Sequence, residues 1–265
     1  MDVLPGSPSA PPHLVEKYSD WDWTVAWQYG SEAITHRLER STGDSRFLKL
    51  APSQAYPSLP AEADRMRWAE AYLSVPEVLE QGSDGQLDWL LTDGLIGADA
   101  TSSAWSADPE RLVTVLAVGL RRFHSVLVGA CPFDFQLDRA LAHARRRVTT
   151  GLVLPDRDFH DEFAHLSTDA ALSVLERSLP SDESVVVCHG DYCLPNVIIR
   201  DWAATGFVDL GELGTADRWW DLAVATWSVT WNLGPGFEDL FLSSYGVERD
   251  EERMQFYRLL YDLVS

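Results

Sequence analysis

Between residues 188 and 211 the sequence spaces oxygen-bearing side chains in a way that suits transfer of a phosphoryl group. The segment Cys188-His189-Gly190-Asp191-Tyr192-Cys193-Leu194-Pro195-Asn196 offers a carboxylate and, five residues later, an amide. A further apolar run leads to Asp209 in Gly206-Phe207-Val208-Asp209-Leu210-Gly211. Phosphoryl transfer makes little covalent demand on a protein. It needs an alcohol oriented beside a carboxylate, and a divalent cation held against the phosphates by hard oxygen ligands. Asp191 suits the first task; Asn196 and Asp209 suit the second. His189 is the weaker base, because an imidazole beside Gly190 in a tight loop serves to orient backbone. Asp217 and Asp221, one helical turn apart, suit the anchoring of loop N–H groups or the capping of a helix better than metal binding. Nothing near Cys188 or Cys193 would activate a thiolate, so both read as packing residues.

The elements that must position these groups follow from the apolar pattern. Residues 185–188 and 197–199 read as short strands on either side of the polar loop. Upstream, 23–29 and 34–40 form a hairpin about Gly30-Ser31-Glu32, and 46–50 is another strand. After a Pro-rich loop, 61–73 is rich in helix formers with an apolar stripe. Residues 75–79 and 88–92 read as strands separated by Gly82-Ser83-Asp84-Gly85. Beyond Gly94 and Gly97 the period becomes helical, over 109–126, 137–147 and the remainder after Gly211. The expected architecture is therefore α+β and bilobal. A small β-rich N-lobe spans 14–93, and a larger, mainly helical C-lobe spans 94–265. Residues 1–13, rich in Pro, Ser and Gly, read as a loose tail. No internal repeat is visible.

Composition narrows the partners. The 265 residues carry 41 acidic and 21 basic side chains, a net charge of −20. That balance disfavours nucleic acid and anionic membranes and favours a cationic ligand, or simply solubility. With 46% hydrophobic and 11% aromatic residues the chain can build a core, which excludes wholesale disorder. Three cysteines without a CxxC pair argue against a disulfide framework or a zinc site. No stretch approaches the ~18 apolar residues of a membrane helix, and the start has no basic, signal-like segment. The chain reads as a cytoplasmic monomer or weak homodimer.

The spacing H-G-D-x-x-x-x-N followed by a D-L-G turn resembles the aminoglycoside phosphotransferase family, relatives of the protein kinases, and most closely its 3′-phosphotransferase branch. Similarity extends to Ala216-Asp217-Arg218-Trp219-Trp220-Asp221-Leu222-Ala223, Arg122-Phe123-His124-Ser125, Cys131-Pro132-Phe133 and Phe256-Tyr257-Arg258-Leu259-Leu260. The resemblance implies a protein-kinase-like fold, ATP or GTP as donor, Mg²⁺ as cofactor, and a hydroxylated, cationic antibiotic as acceptor. Lys49 then matches the strand lysine that reaches the α- and β-phosphates, and Glu62 the glutamate that pairs with it. Phe47 matches an aromatic that stacks on adenine. Thr92, Asp93 and Leu95 match the hinge along the adenine edge, and Ser31 a donor in the phosphate-covering loop. The acidic residues Asp158, Asp161 and Glu162, with Asp262 near the terminus, match groups that surround the antibiotic's amines. Two departures bear on the acceptor: Glu212 follows Gly211 where the family commonly has Arg, and the chain ends Tyr261-Asp262-Leu263-Val264-Ser265 rather than Asp-Glu-Phe-Phe. The expected activity is phosphorylation of an aminoglycoside at its 3′-hydroxyl, giving resistance or self-protection. Alternatives are a kinase for another natural product or metabolite, a nucleotide-binding pseudokinase, and an acidic structural protein.

Overall fold

The computed structural model describes residues 4–30 and 32–264. The chain forms two units. The first comprises the described residues up to Gly97 together with Gly206–Gly211; the second comprises Ala98–Thr205 and the chain from Glu212 onward. The expected boundary at 93/94 thus falls a few residues early. The Asp209 turn, expected with the C-lobe, belongs to the first unit.

The first unit is built on a five-stranded antiparallel sheet of β1 (Asp22–Tyr29), β2 (Ala33–Glu39), β3 (Ser45–Pro52), β4 (Val78–Ser83) and β5 (Leu87–Asp93), in the order β1-β2-β3-β5-β4. Alternation along a strand sends neighbouring side chains to opposite faces. On β3 this commits Leu48 and Leu50 to a core with Ile34, Leu38 and Leu91, and turns Phe47 and Lys49 to the other face. The register sets Lys49 opposite Leu90 and Phe47 opposite Thr92. Helix α1 (Pro12–Lys17) closes the core with Leu14, Tyr18 following it, and Ala10 packs against the same cluster. Within the stretch 1–13 expected to be loose, Pro12 and His13 already belong to a helix whose Leu14 is fully buried.

Helix α2 (Leu59–Ala69) starts at Ser58, whose hydroxyl accepts from the Ala61 N–H, with Pro60 in the first turn where no N–H is needed. It ends four residues before the expected 73. The short exit lets the Ser74 carbonyl accept from the Phe207 N–H at 3.0 Å. The following strand begins at Val78 rather than 75, because Pro76 has no N–H to give a ladder. The reversal into β5 falls within the expected Gly82-Ser83-Asp84-Gly85, although Gly82 and Ser83 still belong to β4: Asp84 makes it by accepting from the N–H groups of Gln86 and Leu87.

The second unit is mainly helical: α3 (Pro109–Phe123), α4 (Leu137–Thr149), α5 (Pro155–Asp158), α6 (Thr168–Arg177), α7 (Trp219–Leu233), α8 (Glu238–Tyr245) and α9 (Glu251–Val264). Within it, α7 and α9 pack together and α3 packs on α8. Strands β6 (Ala98–Asp99), β8 (Val197–Arg200) and β9 (Ala203–Phe207) form one small sheet; β7 (Val185–Cys188) pairs with β10 (Gly214–Asp217). Strand β10 is absent from the sequence reading. Gly214-Thr215-Ala216-Asp217 lacks branched apolar residues, and only its pairing with β7 makes it a strand. No described helix is long and apolar enough to cross a membrane.

Candidate active site

In the first unit, β3, α2 and the turn after β9 bring three charged side chains to one point. Lys49 Nζ donates to Glu62 Oε1 at 2.6 Å and to Asp209 Oδ1 at 2.8 Å. Glu62 is buried, whereas the Asp209 side chain is 46% exposed and able to take other partners. Burial alone would lower the lysine's pKa, but the charges of Asp209 and Glu62 more than reverse it and raise it, so Lys49 is a permanent cation. Asp209 has φ of 62°, in the left-handed region that few residues other than glycine adopt. Such strain is retained at functional sites when the surroundings enforce it. Here Gly211 follows within two residues and packs against Pro57, leaving no room for a Cβ.

In the second unit the loop after β7 is fixed by one helix. Asp221 on α7 accepts from the N–H groups of His189 (2.7 Å) and Gly190 (2.9 Å), and His124 Nε2 lies 2.9 Å from the same carboxylate. Trp220 Nε1 donates to the Gly190 carbonyl, and Ser228, two turns along α7 from Asp221, accepts from the Leu194 N–H. Asp217 performs the parallel task at the entry, accepting from Ser184 and Trp219 N–H groups. His189 orients backbone: its Nδ1 accepts from the Asp191 N–H at 3.3 Å. Gly190, at φ of 93°, turns the chain so tightly that a Cβ would meet Glu212 at 2.5 Å. The product of these restraints is a positioned Asp191. Its Oδ2 accepts from Asn196 Nδ2 at 2.9 Å, and its Oδ1 from the Tyr261 hydroxyl and the Cys193 thiol, each at 3.1 Å. The Asn196 amide nitrogen is spent on the Asp191 backbone carbonyl and carboxylate, so its carbonyl oxygen is the atom that could ligate a cation.

Near the end of α9 the second unit holds a pocket of ≈ 460 Å³ lined by Phe159, His160, Asp161, Glu162, Trp227 and Trp231, with Thr230, Glu238 and Arg258. His160 stacks on Trp231 with ring centroids 4.7 Å apart, and the Arg258 guanidinium lies 5.1 Å over Trp227. Glu162 accepts from Trp227 Nε1 and is 3.5 Å from Arg258. The pocket thus combines an aromatic wall with two carboxylates, Glu162 and Glu238, that share Arg258.

A family model described as the phosphotransferase enzyme family matches residues 28–257. The chain belongs to the aminoglycoside phosphotransferase family. An aminoglycoside 3′-phosphotransferase of Streptomyces fradiae is 36% identical to it over 264 residues, covering 93% of this chain and 97% of that protein. Among solved structures, an aminoglycoside 3′-phosphotransferase of type VIII superposes with a TM-score of 0.84 at 33% identity, covering 95% of this chain and 96% of the other. An aminoglycoside phosphotransferase of Streptomyces rimosus, solved with ADP and streptomycin, gives 0.75 at 29% identity over 95% of this chain and 96% of that one. The α+β, kinase-like architecture expected from the sequence is that of these relatives.

For this phosphotransferase the residues inferred from sequence fall into three groups. Lys49, Glu62 and Asp209 meet in the first unit, and Asp191 and Asn196 meet in the second. Phe47 is half-buried on the Lys49 face of β3; Thr92 is buried and Asp93 exposed at the end of β5, and the Leu95 side chain covers Gly206. The Asp93 N–H is already given to the Glu77 carbonyl. Asp161 and Glu162 line the pocket. Two acids require correction. Asp262 is buried, with both oxygens taken by the backbone N–H and Nδ1 of His160 at 2.9 and 2.5 Å, so it fixes the pocket wall from behind. Asp158, its side chain only 7% exposed, caps the Leu154 N–H and pairs with Arg157. Ser31 lies outside the described residues. Sequence reasoning missed Tyr261, Trp220 and Ser228 as partners of the Asp191 loop; for the latter two, the 3.6-residue period of a buried helix beside a polar loop was the available signal.

Proposed function

We propose that this phosphotransferase moves the γ-phosphoryl group of ATP, or GTP, to the 3′-hydroxyl of an aminoglycoside. The observation that carries the reading is the Asp191 carboxylate, held by Asn196 on a loop whose N–H groups are tied to Asp221. Asp191 receives the acceptor's hydroxyl, orients it for in-line attack, and takes its proton late in the step. Lys49 supports the donor phosphates, and Glu62 keeps it in place. The hard oxygens of Asn196 and Asp209 are the donor type that Mg²⁺ prefers; when bound, the ion offsets charge on the phosphates. Asp161 and Glu162 complement the acceptor's ammonium groups. The relatives named for aminoglycosides, and the neighbour solved with ADP and streptomycin, support this choice of acceptor and donor. A phosphate dianion on the product repels RNA, so the outcome is resistance or self-protection. Since the donor is a cytoplasmic nucleotide, we place the enzyme there.

The test is incubation of purified protein with Mg-ATP and kanamycin or neomycin, read by mass and by phosphorus-coupled NMR of the product. One added phosphate on the 3′ oxygen is expected. Nucleotide binding without phosphorylation of any aminoglycoside would contradict the reading. A second reading, a kinase for a different hydroxylated natural product, is favoured by the aromatic wall of Trp227, Trp231 and His160, which suits a flatter acceptor. A panel including nucleoside and peptide antibiotics separates the two.

A further inference from the structure

The last turn of α9 places a second alcohol against Asp191. The Tyr261 hydroxyl donates to Oδ1 at 3.1 Å, where Cys193 also donates, and Asn196 holds Oδ2. A carboxylate has about four lone-pair sites, two on each oxygen, so Tyr261 and Cys193 together fill those of Oδ1. Asn196 has its own task, and a thiol is a weak donor. The phenol is therefore the group that an acceptor alcohol, or a water molecule, displaces to reach Oδ1.

Its surroundings make that exchange local. Asp262, next in sequence, is tied through both carboxylate oxygens to His160, so the turn that carries Tyr261 is anchored to the pocket wall. His160 lines the pocket, and its ring centroid is 6.4 Å from that of Tyr261. An acceptor seated in the pocket is therefore the neighbour of the phenol it must replace. Burial and the nearby charges of Asp191 and Glu212 push the Tyr261 pKa well up, so it stays a protonated donor at any working pH.

We propose that Tyr261 guards Asp191 against water. Its phenol occupies the carboxylate until a pocket-bound alcohol displaces it, and so sets the preference for alcohol over water as phosphoryl acceptor. The suppressed reaction is hydrolysis: water's oxygen bonds to the γ-phosphorus, the bond to the bridging β–γ oxygen breaks, ADP leaves, and water's proton passes to Asp191. The inference rests on Asp191 being the group that receives the acceptor's hydroxyl.

The experiment measures ADP release with Mg-ATP alone and with a saturating aminoglycoside, for wild type, Tyr261→Phe, Tyr261→Leu, Asp191→Asn and the Asp191→Asn/Tyr261→Phe double variant. Losing one hydrogen bond should raise acceptor-free hydrolysis about tenfold in Tyr261→Phe, with KM for ATP unchanged. Tyr261→Leu should raise it at least as much, and the double variant should fall back to the level of Asp191→Asn. A thermal melt of Tyr261→Phe within a few degrees of wild type separates the effect from misfolding. Acceptor-free hydrolysis unchanged or lowered in both folded Tyr261 variants would overturn the guard. Full acceptor phosphorylation by Asp191→Asn would instead overturn the assignment of Asp191 on which it rests.

Discussion

At the residue scale, the site depends on a few side chains with little freedom of substitution. Lys49 is bonded to two carboxylates, one buried and one half-exposed, so its ammonium is held in place by the protein's own groups. Lys49→Met should lower kcat/KM for ATP by about 10²–10³, since it removes one preorganised cation from developing phosphate charge, and should also lower the melting temperature, since it leaves the buried Glu62 without its cation. Steady-state kinetics with varied ATP checks this. Asp221 is fully buried and satisfies two loop N–H groups. Asp221→Asn presents an amide to donors, and should cost about 3 kcal/mol or more in denaturant unfolding, with a loss of turnover. Asp191, Asn196 and Asp209 stood out in the sequence as candidates because phosphoryl transfer constrains residue type and spacing. Asp262 was not: its exchange of an acceptor-facing role for a buried bond to His160 depends on the fold of a loop a hundred residues away in sequence.

At the element scale, geometry rather than composition decides. Strands β1 to β3 and helix α3 were legible through their 2.0 and 3.6 periods, whereas β10 was not, because its pairing with β7 is long-range. The turn at Gly190 is required by a left-handed φ and by Glu212. Gly190→Ala should cost about 1–3 kcal/mol from backbone strain alone, and displace Asp191 enough to abolish turnover; a melting curve and an activity assay measure both. Where α8 meets α9, Glu238 is gripped by Arg249 and Arg258. Burial alone would raise its carboxyl pKa, but the Arg249 hydrogen bond and the Arg258 charge outweigh it and hold it below its ordinary 4.5. A lowered carboxyl stabilises the fold above its unfolded pKa and loses that stabilisation as pH falls through the folded value. Glu238→Gln should therefore melt lower than wild type at pH 7, with the gap closing below about pH 4.5; unfolding curves across pH test it.

At the scale of the whole molecule, each unit holds its own group of the residues assigned to the proposed reaction. The first holds Lys49, Glu62 and Asp209, and the second holds Asp191, Asn196 and the acidic, aromatic pocket. A ligand that binds only the folded state stabilises it by mass action, about 2.7 kcal/mol at a hundredfold excess over Kd. Mg-ATP should raise the melting temperature of wild type, and Lys49→Met should abolish most of that rise. The two-part organisation was legible from the change of period after Gly94. The membership of Asp209 in the first unit was not, because the chain returns there over only six residues. The measurement that tests the account most directly is the turnover of Asp191→Asn with Mg-ATP and a phosphorylatable aminoglycoside, alongside its melting shift with Mg-ATP. The account predicts a fall in kcat of about 10²–10⁴ with the nucleotide shift retained. Turnover equal to wild type would contradict it.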